Sequence, residues 1–347
     1  MNDIKINHQG EVWIFAEQEQ GVLSEIPLEL LSKGRELADQ LGVPLAAVLL
    51  GGKGVESQAE TLIHHGADIV HLVEDPALDT YQTAAYAKVL VDLVKAVEPQ
   101  IFIIAATGIG RELAPSISSA LRCGLTADCT DLQIGSFKDL VAKQTYDNLL
   151  LQKRPAFGGN IVATIVNPRD WPQMASVREG VMKMSEDDPN RKGKIIRHDS
   201  GLAGFELPTE VLEILRTEKT VNLKAARIIV AGGAGVGTRE NFQLLCDLAD
   251  ALGGAVAGSR AAVDLGFIDG DRQIGQTGVT VHPALYIACG ISGAVQHTSG
   301  MQDSAKILAI NTDRDAPIFS IAHYGIVGDL KVVLPRMIKA VRDRAQE

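Results

Sequence analysis

Between Val12 and Ala105 the chain alternates short, mainly apolar runs with longer amphipathic stretches, and this rhythm restricts the possible folds more than any other feature. Val12 to Ala16, Leu45 to Leu50, Ile69 to Val73 and Ile101 to Ala105 are the apolar runs, built largely from Val, Ile, Leu, Phe and Ala. Pro27 to Leu41 and Thr80 to Val97 separate them and repeat their apolar residues at helical spacing. Strands that lack polar alternation are covered on both faces, so repeated strand–helix units of this kind predict a parallel sheet with helices on either side. From Thr126 to Val166 the texture changes to shorter pieces, DLQIGSF, DLVAKQTY and NIVATIV, which predict an antiparallel extension of the same sheet.

The rhythm is interrupted once. Met184 to Leu223 opens charged and rich in Pro, Gly and Asp and continues with alternating apolar residues, a composition that places a hinge in its latter half. ARIIVAGG then reopens the pattern with a strand over Ile228 to Ala231, a glycine-rich turn, and a helix over Glu240 to Leu252. A chain of 347 residues exceeds what a single core comfortably fills, so two α/β domains are expected, 1–215 and 216–347.

Composition removes several classes of function. A net charge of -10 argues against nucleic-acid binding, which needs a basic surface. The four cysteines form no CxxC pair and read as reduced thiols rather than as a disulfide framework or a metal site. The start, MNDIKINHQGEVWIF, has neither the basic flank nor the apolar run of a signal peptide, and no stretch reaches the roughly 20 apolar residues of a membrane helix. A cytoplasmic protein whose partners are small molecules or other proteins, with no nucleic acid and no membrane, is expected.

Four segments of the second domain carry candidate chemistry. Gly232 to Gly237 sits between strand and helix, where backbone amides can hold a phosphate. Thr238 occupies the third glycine position of the dinucleotide fingerprint, so the turn equally fits a tight connection in any doubly wound sheet. Gly258 to Asp264 sets Ser259, Arg260 and Asp264 among small residues, and Arg260 either faces a ligand or pairs with Asp264 one helical turn on. Arg272 to Gly278 is a polar loop with two glycines, suited to gripping a ring edge or a phosphate. The fourth segment, LYIACGISGAVQHTSG over Leu285 to Gly300, continues through Lys306 to Asn311.

That fourth segment, with QIGQTG before it and APIF and YGIVGDL after it, closely resembles the electron transfer flavoprotein alpha subunit. ATGIGRELAP, GLTADCTDL and RPAFGGNIVATIV extend the resemblance over essentially the whole chain. It implies a parallel-sheet N-terminal domain of the adenine nucleotide hydrolase type, which packs on a beta subunit, and a Rossmann-like C-terminal domain that binds one FAD. Matching by position, it implies FAD contacts from Ser259, Ile274, Gly275, Gln276, Thr277, Ser292, Gly293, Ala294, Val295, Gln296, His297, Asn311 and Asp329. Ser292 and the amides around Gly293 would meet the pyrophosphate, Gln276 and Thr277 the flavin ring, and Asn311 and Asp329 the adenosine end. His297 would donate near the flavin C2 carbonyl, and Arg260 would favour the anionic reduced ring by its charge. The family's arginine in the glycine-rich turn is replaced by Ala234, for which Arg239 is a candidate substitute, and His323 stands where many relatives carry Asp.

The resemblance further implies an electron carrier rather than a stand-alone enzyme, working with the beta subunit and a flavoprotein dehydrogenase of the acyl-CoA type. Two versions are open. In one the beta subunit holds AMP; in the other it holds a second FAD, oxidises NADH and sends electrons separately to ferredoxin and the dehydrogenase. A self-sufficient FAD or NAD dehydrogenase lacks support, since no carboxylate or histidine stands out as a substrate base, and the QIGQTG and SGAVQH pair disfavours a nucleotide-binding module without redox chemistry.

Overall fold

The computed structural model describes residues 7–141, 143–156, 161–214, 222–223 and 226–344. It divides into two compact units, Met1–Ile214 and Leu215–Glu347. Residues 215–221 of the stretch expected to contain the hinge, and Phe157 to Asn160 of the RPAFGGN motif, lie outside the described residues.

The first unit runs β1 (Val12–Ala16), β2 (Gln18–Glu19), β3 (Val22–Leu23), α1 (Ile26–Leu41), β4 (Leu45–Gly51), α2 (Ala59–His64), β5 (Ile69–Glu74), α3 (Thr83–Val97), β6 (Ile101–Ala105) and α4 (Gly108–Leu121). It continues with β7 (Leu125–Cys129), β8 (Asp131–Asp139), β9 (Gln144–Ala156), β10 (Ile161–Ile165), β11 (Gln173–Val177) and β12 (Lys194–His198). Seven of these strands form a parallel sheet in the order β12-β5-β4-β1-β6-β11-β7. Every residue of β1, β4 and β6 is buried, as the unbroken apolar runs require. One face packs Ile14, Leu45 and Ile103 against Leu30, Leu31 and Leu37 of α1; the other packs Trp13, Phe15 and Phe102 against α3 and α4. In α4, capped by the Thr107 side chain, a Cβ at Gly110 would overlap the Ala105 carbonyl oxygen, so the helix can start directly on the end of β6 only with glycine there.

One expectation is corrected. The antiparallel pieces do not extend the parallel sheet: β10, β9 and β8 form a separate three-stranded sheet, because β11 enters between β6 and β7 and completes the parallel ladder. The first half of the Met184 to Leu223 segment, ahead of the expected hinge, contributes β12, an edge strand whose partly polar sequence KIIRH fits a position with only one neighbour, β5.

The second unit runs β13 (Ile228–Gly232), α5 (Arg239–Leu252), β14 (Ala255–Gly258), α6 (Arg260–Asp264), β15 (Leu285–Cys289), α7 (Val295–Thr298), β16 (Ile307–Asn311), β17 (Tyr324–Val327) and α8 (Leu330–Arg344). Its strands are parallel in the order β14-β13-β15-β16-β17, a Rossmann-like arrangement. Val230 and Ile287 face Leu245 of α5 and Leu334 of α8, while Ile229, Tyr286 and Ala309 face Ile274, Met301 and Ile318. The strand order reverses at β13, with β14 on one side of it and β15 on the other, and a crevice lies at the carboxyl ends of the strands at this switch point.

Candidate functional site

That crevice is a cavity of about 670 Å³, within the range of about 300–1,000 Å³ usual for small-molecule sites. Each strand from β13 to β16 supplies lining residues at or just after its carboxyl end: Gly233 to Gly235, Ser259 to Ala261 with Asp264, Gly290 to Ser292, and Asn311 with Asp313. Of the residues singled out in sequence, Ser259, Arg260, Ile274, Gly275, Thr277, Ser292, Ala294, Gln296, His297 and Asn311 line it together. Gln276, Gly293 and Val295 lie between lining neighbours without lining it themselves.

Three singled-out residues stand elsewhere. Asp329 accepts from the Lys331 amide at 2.9 Å and caps α8. Arg239 opens α5 and is not among the lining residues. His323 accepts from the Ile307 amide through Nδ1 at 3.1 Å, at the amino end of β16 and thus at the opposite end of the sheet from the cavity. Conversely, Gln273, Gly290, Ile291, Asp313, Ala316 and Pro317 line the cavity although sequence reading gave them no individual role. The common signal is position: Gly290, Ile291 and Asp313 lie one to two residues past a parallel strand.

The glycine-rich turn works differently from the phosphate cradle the sequence allows. The Gly233 amide donates to Cys289 O at 2.9 Å, Gly235 to Gly290 O at 3.0 Å, Val236 to Gly233 O at 3.2 Å and Gly237 to Ala234 O at 3.1 Å. Those amides are spent inside the protein. A Cβ at Gly235 would lie 2.8 Å from Gly290 O, and one at Gly290, whose φ is +61°, would lie 2.7 Å from Gly235 C. The glycines therefore let the turns after β13 and β15 touch backbone to backbone.

Open donors occur instead after β15. Among the described residues the amides of Ser292, Gly293 and Ala294 donate to no protein acceptor. Gly293 has φ +92°, and its backbone is pressed so closely against Ile318 that a Cβ would overlap the Ile318 amide nitrogen. A run of amides beside a cavity suits an anionic group.

The charged groups at the cavity are Arg260, Asp264 and Asp313. Arg260 Nε lies 3.6 Å from Asp264 Oδ2, and both side chains are more than half exposed, so this pair is weak and leaves the guanidinium available. Ser259 caps α6, its Oγ accepting from the Ala262 amide at 3.4 Å. Asn311 donates to Ile291 O at 3.0 Å and accepts from the Asp313 amide at 2.9 Å, tying the end of β16 to the loop after β15.

His297 is buried, at 6% exposure. Its Nδ1 lies 3.1 Å from Ile274 O and its Nε2 3.0 Å from the Tyr286 hydroxyl. Burial pushes the imidazole down to about 4, only partly offset by the Ile274 carbonyl. Burial also raises the Tyr286 hydroxyl well above its ordinary value and the Cys289 thiol to about 12, so both remain protonated. No cluster of three metal-ligating side chains occurs among the described residues, and none of their helices is long and apolar enough to cross a membrane.

Fold and site together define a two-domain α/β protein whose second domain presents a cofactor-sized, amide-lined crevice at a Rossmann-like switch point. Residues 12–202 match the electron transfer flavoprotein domain and residues 222–302 the electron transfer flavoprotein FAD-binding domain. The chain is 49% identical, over 99% of both chains, to the electron transfer flavoprotein subunit alpha of Thermoanaerobacterium thermosaccharolyticum. It is 49% identical to Protein FixB of Clostridium saccharobutylicum over 96% of both chains. It is 43% identical to the acryloyl-CoA reductase electron transfer subunit beta of Anaerotignum propionicum, over 99% of this chain and 98% of that one. The chain belongs to the electron transfer flavoprotein alpha-subunit family.

Proposed function

We propose that this chain is the FAD-holding half of a heterodimeric electron carrier, paired with a beta subunit and exchanging electrons with a dehydrogenase of the acyl-CoA type. The observation that carries the reading is the convergence, on one cavity, of the QIGQTG and SGAVQH segments with Arg260 and a run of amides without protein acceptors. The acryloyl-CoA reductase subunit among the relatives favours an acyl-CoA type partner.

Bound FAD would supply the redox chemistry, as flavins do. The chain's own residues bind and tune. The amides of Ser292 to Ala294 would meet the pyrophosphate, whereas in the glycine-rich turn Gly233, Gly235, Val236 and Gly237 already donate within the protein and leave the Ala234 amide. Arg260, more than half exposed in the free chain, becomes an effective cation once a flat ligand displaces water beside it, and then favours negative charge on the reduced ring. Ile274 and Thr277, which line the cavity from the polar loop, would border the ring. Asn311 and Asp313 offer polar atoms from the end of β16, and they would hold the adenosine end. No group at the cavity is arranged as a base for abstracting a substrate proton: the buried imidazole is engaged on both nitrogens, and the two carboxylates are exposed.

Co-purification with the beta subunit, quantification of FAD and AMP per heterodimer, and anaerobic addition of NADH test the proposal. One FAD with one AMP and no response to NADH identifies a simple carrier fed by dehydrogenases. Two FAD that bleach with NADH identify an assembly that divides electrons between ferredoxin and the dehydrogenase. A heterodimer that takes up no FAD refutes the proposal.

A further inference from the structure

Among the titratable residues described at the cavity wall, His297 alone is buried, and neither ring nitrogen is open to the cavity. The Ile274 carbonyl can only accept, so Nδ1 carries the proton. Nε2 is then an acceptor, and the Tyr286 hydroxyl donates to it. We infer that Tyr286 is a positioning residue of this site: by donating to Nε2 it commits His297 to the neutral Nδ1–H tautomer and, through that proton, fixes the Ile274 carbonyl at the head of the loop 274–278.

The loop has little freedom to move on its own. The Gln276 amide donates to Gln296 O at 2.7 Å and the Gly278 amide to Gly275 O at 3.0 Å. A Cβ at Gly275 would sit 2.6 Å from Gln296 O, and one at Gly300 2.6 Å from Gly275 N, so the loop lies directly against the segment around α7. The Tyr286–His297–Ile274 chain adds the sheet to this contact, since Tyr286 is a fully buried residue of β15. An imidazolium would have donors on both nitrogens and would oblige the hydroxyl to turn round and accept. Position and neutrality are therefore one property. The downward displacement of the imidazole to about 4 agrees with this. Of the elements packed against His297, β15 brings only Tyr286 and Cys289 as titratable groups, and the loop 274–278 and α7 bring none beyond His297 itself. Arg260, Asp264 and Asp313 are the exposed charged groups on the wall.

The consequence for the cofactor rests on the FAD reading. His297 contributes a fixed neutral surface rather than a ring N–H, and Arg260 with the amides of Ser292 to Ala294 answers the negative charge. Selective 15N-histidine labelling of the full chain, with two-bond N–H correlation spectra from pH 4 to 8 and His297 assigned through His297→Asn, tests the inference directly. The neutral Nδ1–H form at pH 7, with no titration above about pH 5, is expected. In Tyr286→Phe the proton affinity of His297 should rise about 2–10-fold, because the donor that favoured the neutral ring is gone. An Nε2–H tautomer in the unaltered chain overturns the inference without any variant, and a Tyr286→Phe chain whose His297 titrates unchanged does so as well. In the heterodimer, Tyr286→Phe should weaken FAD binding about 2–10-fold and add nothing when His297 is already Asn. Equal losses in both backgrounds would show that Tyr286 acts without His297. If the heterodimer binds no FAD at all, the functional reading fails, while the spectra still decide the tautomer.

Discussion

Gly290 joins sequence to site at the scale of one residue. With φ at +61° and its Cα hydrogens against Gly235, it holds the turns after β13 and β15 together, and the open amides of Ser292 to Ala294 follow from it. Gly290→Ala introduces left-handed strain and an overlap with Gly235. It should cost on the order of 2–3 kcal/mol, read as a drop in the unfolding midpoint of residues 222–344 and a parallel loss of bound FAD. An unchanged midpoint would mean that the two turns separate easily. Arg260 differs, because its exposed side chain carries no packing. Arg260→Ala should leave stability within about 0.5 kcal/mol and make the bound flavin harder to reduce, seen as a fall in its midpoint potential; an equal potential would remove Arg260 from the tuning role.

Strand β12 shows how an element can be poised by titration. Its last residue, His198, lies with Nε2 2.9 Å from His71 Nδ1, while His71 Nε2 meets Glu11 Oε2 at 2.8 Å and the Trp13 indole donates to the same oxygen at 2.7 Å. His198 is held below its ordinary value by burial first and by His71 second, with Glu11 opposing. Glu11 is also lowered: burial, its largest influence, acts upward, but the His71 and Trp13 hydrogen bonds and the two imidazole charges outweigh it. A histidine whose folded value is depressed contributes stability above its unfolded value, near 6.5, and loses it as pH falls below that. A depressed carboxylate likewise contributes above its unfolded value, near 4.5, and loses it as pH falls through the folded one. The histidine acts within the neutral range and the carboxylate only below it, so the protection factors of the β12 amides, taken relative to the intrinsic exchange rate at each pH, should fall between pH 7.5 and 5.5, and His198→Gln should flatten that dependence. A fall in protection that survives the substitution would assign it to another group. This strand also marks where sequence reading ran out. β1 and β6 were legible to the residue because unbroken apolar runs leave no alternative, whereas QMASV and KIIRH are short and ambiguous until β6 and β5 supply their partners. The site divides in the same way. QIGQTG and SGAVQH stand out by motif, but the lining roles of Gly290, Ile291 and Asp313 arise from the order β13-β15-β16, a long-range fact, and the turn glycines serve backbone contact where phosphate binding was an equally good reading.

For the whole molecule, the two units have separate cores: Leu31, Ile103 and Phe102 belong to clusters of the first, and Tyr286, Leu245 and Ile310 to clusters of the second. Every residue lining the proposed FAD cavity, from Gly233 to Pro317, lies in the second. A ligand that binds only folded protein stabilises the part it binds, by about 2.7 kcal/mol at a hundred times its dissociation constant. FAD should therefore raise the unfolding transition of the second unit, followed through exchange of the β13 and β15 amides, and leave that of β1 and β6 where it was. If protection rises equally in both sets of strands, the units unfold as one cooperative body and the linker transmits binding energy. If it rises only in β13 and β15, the first unit remains energetically separate from the flavin and is free to serve the beta subunit alone.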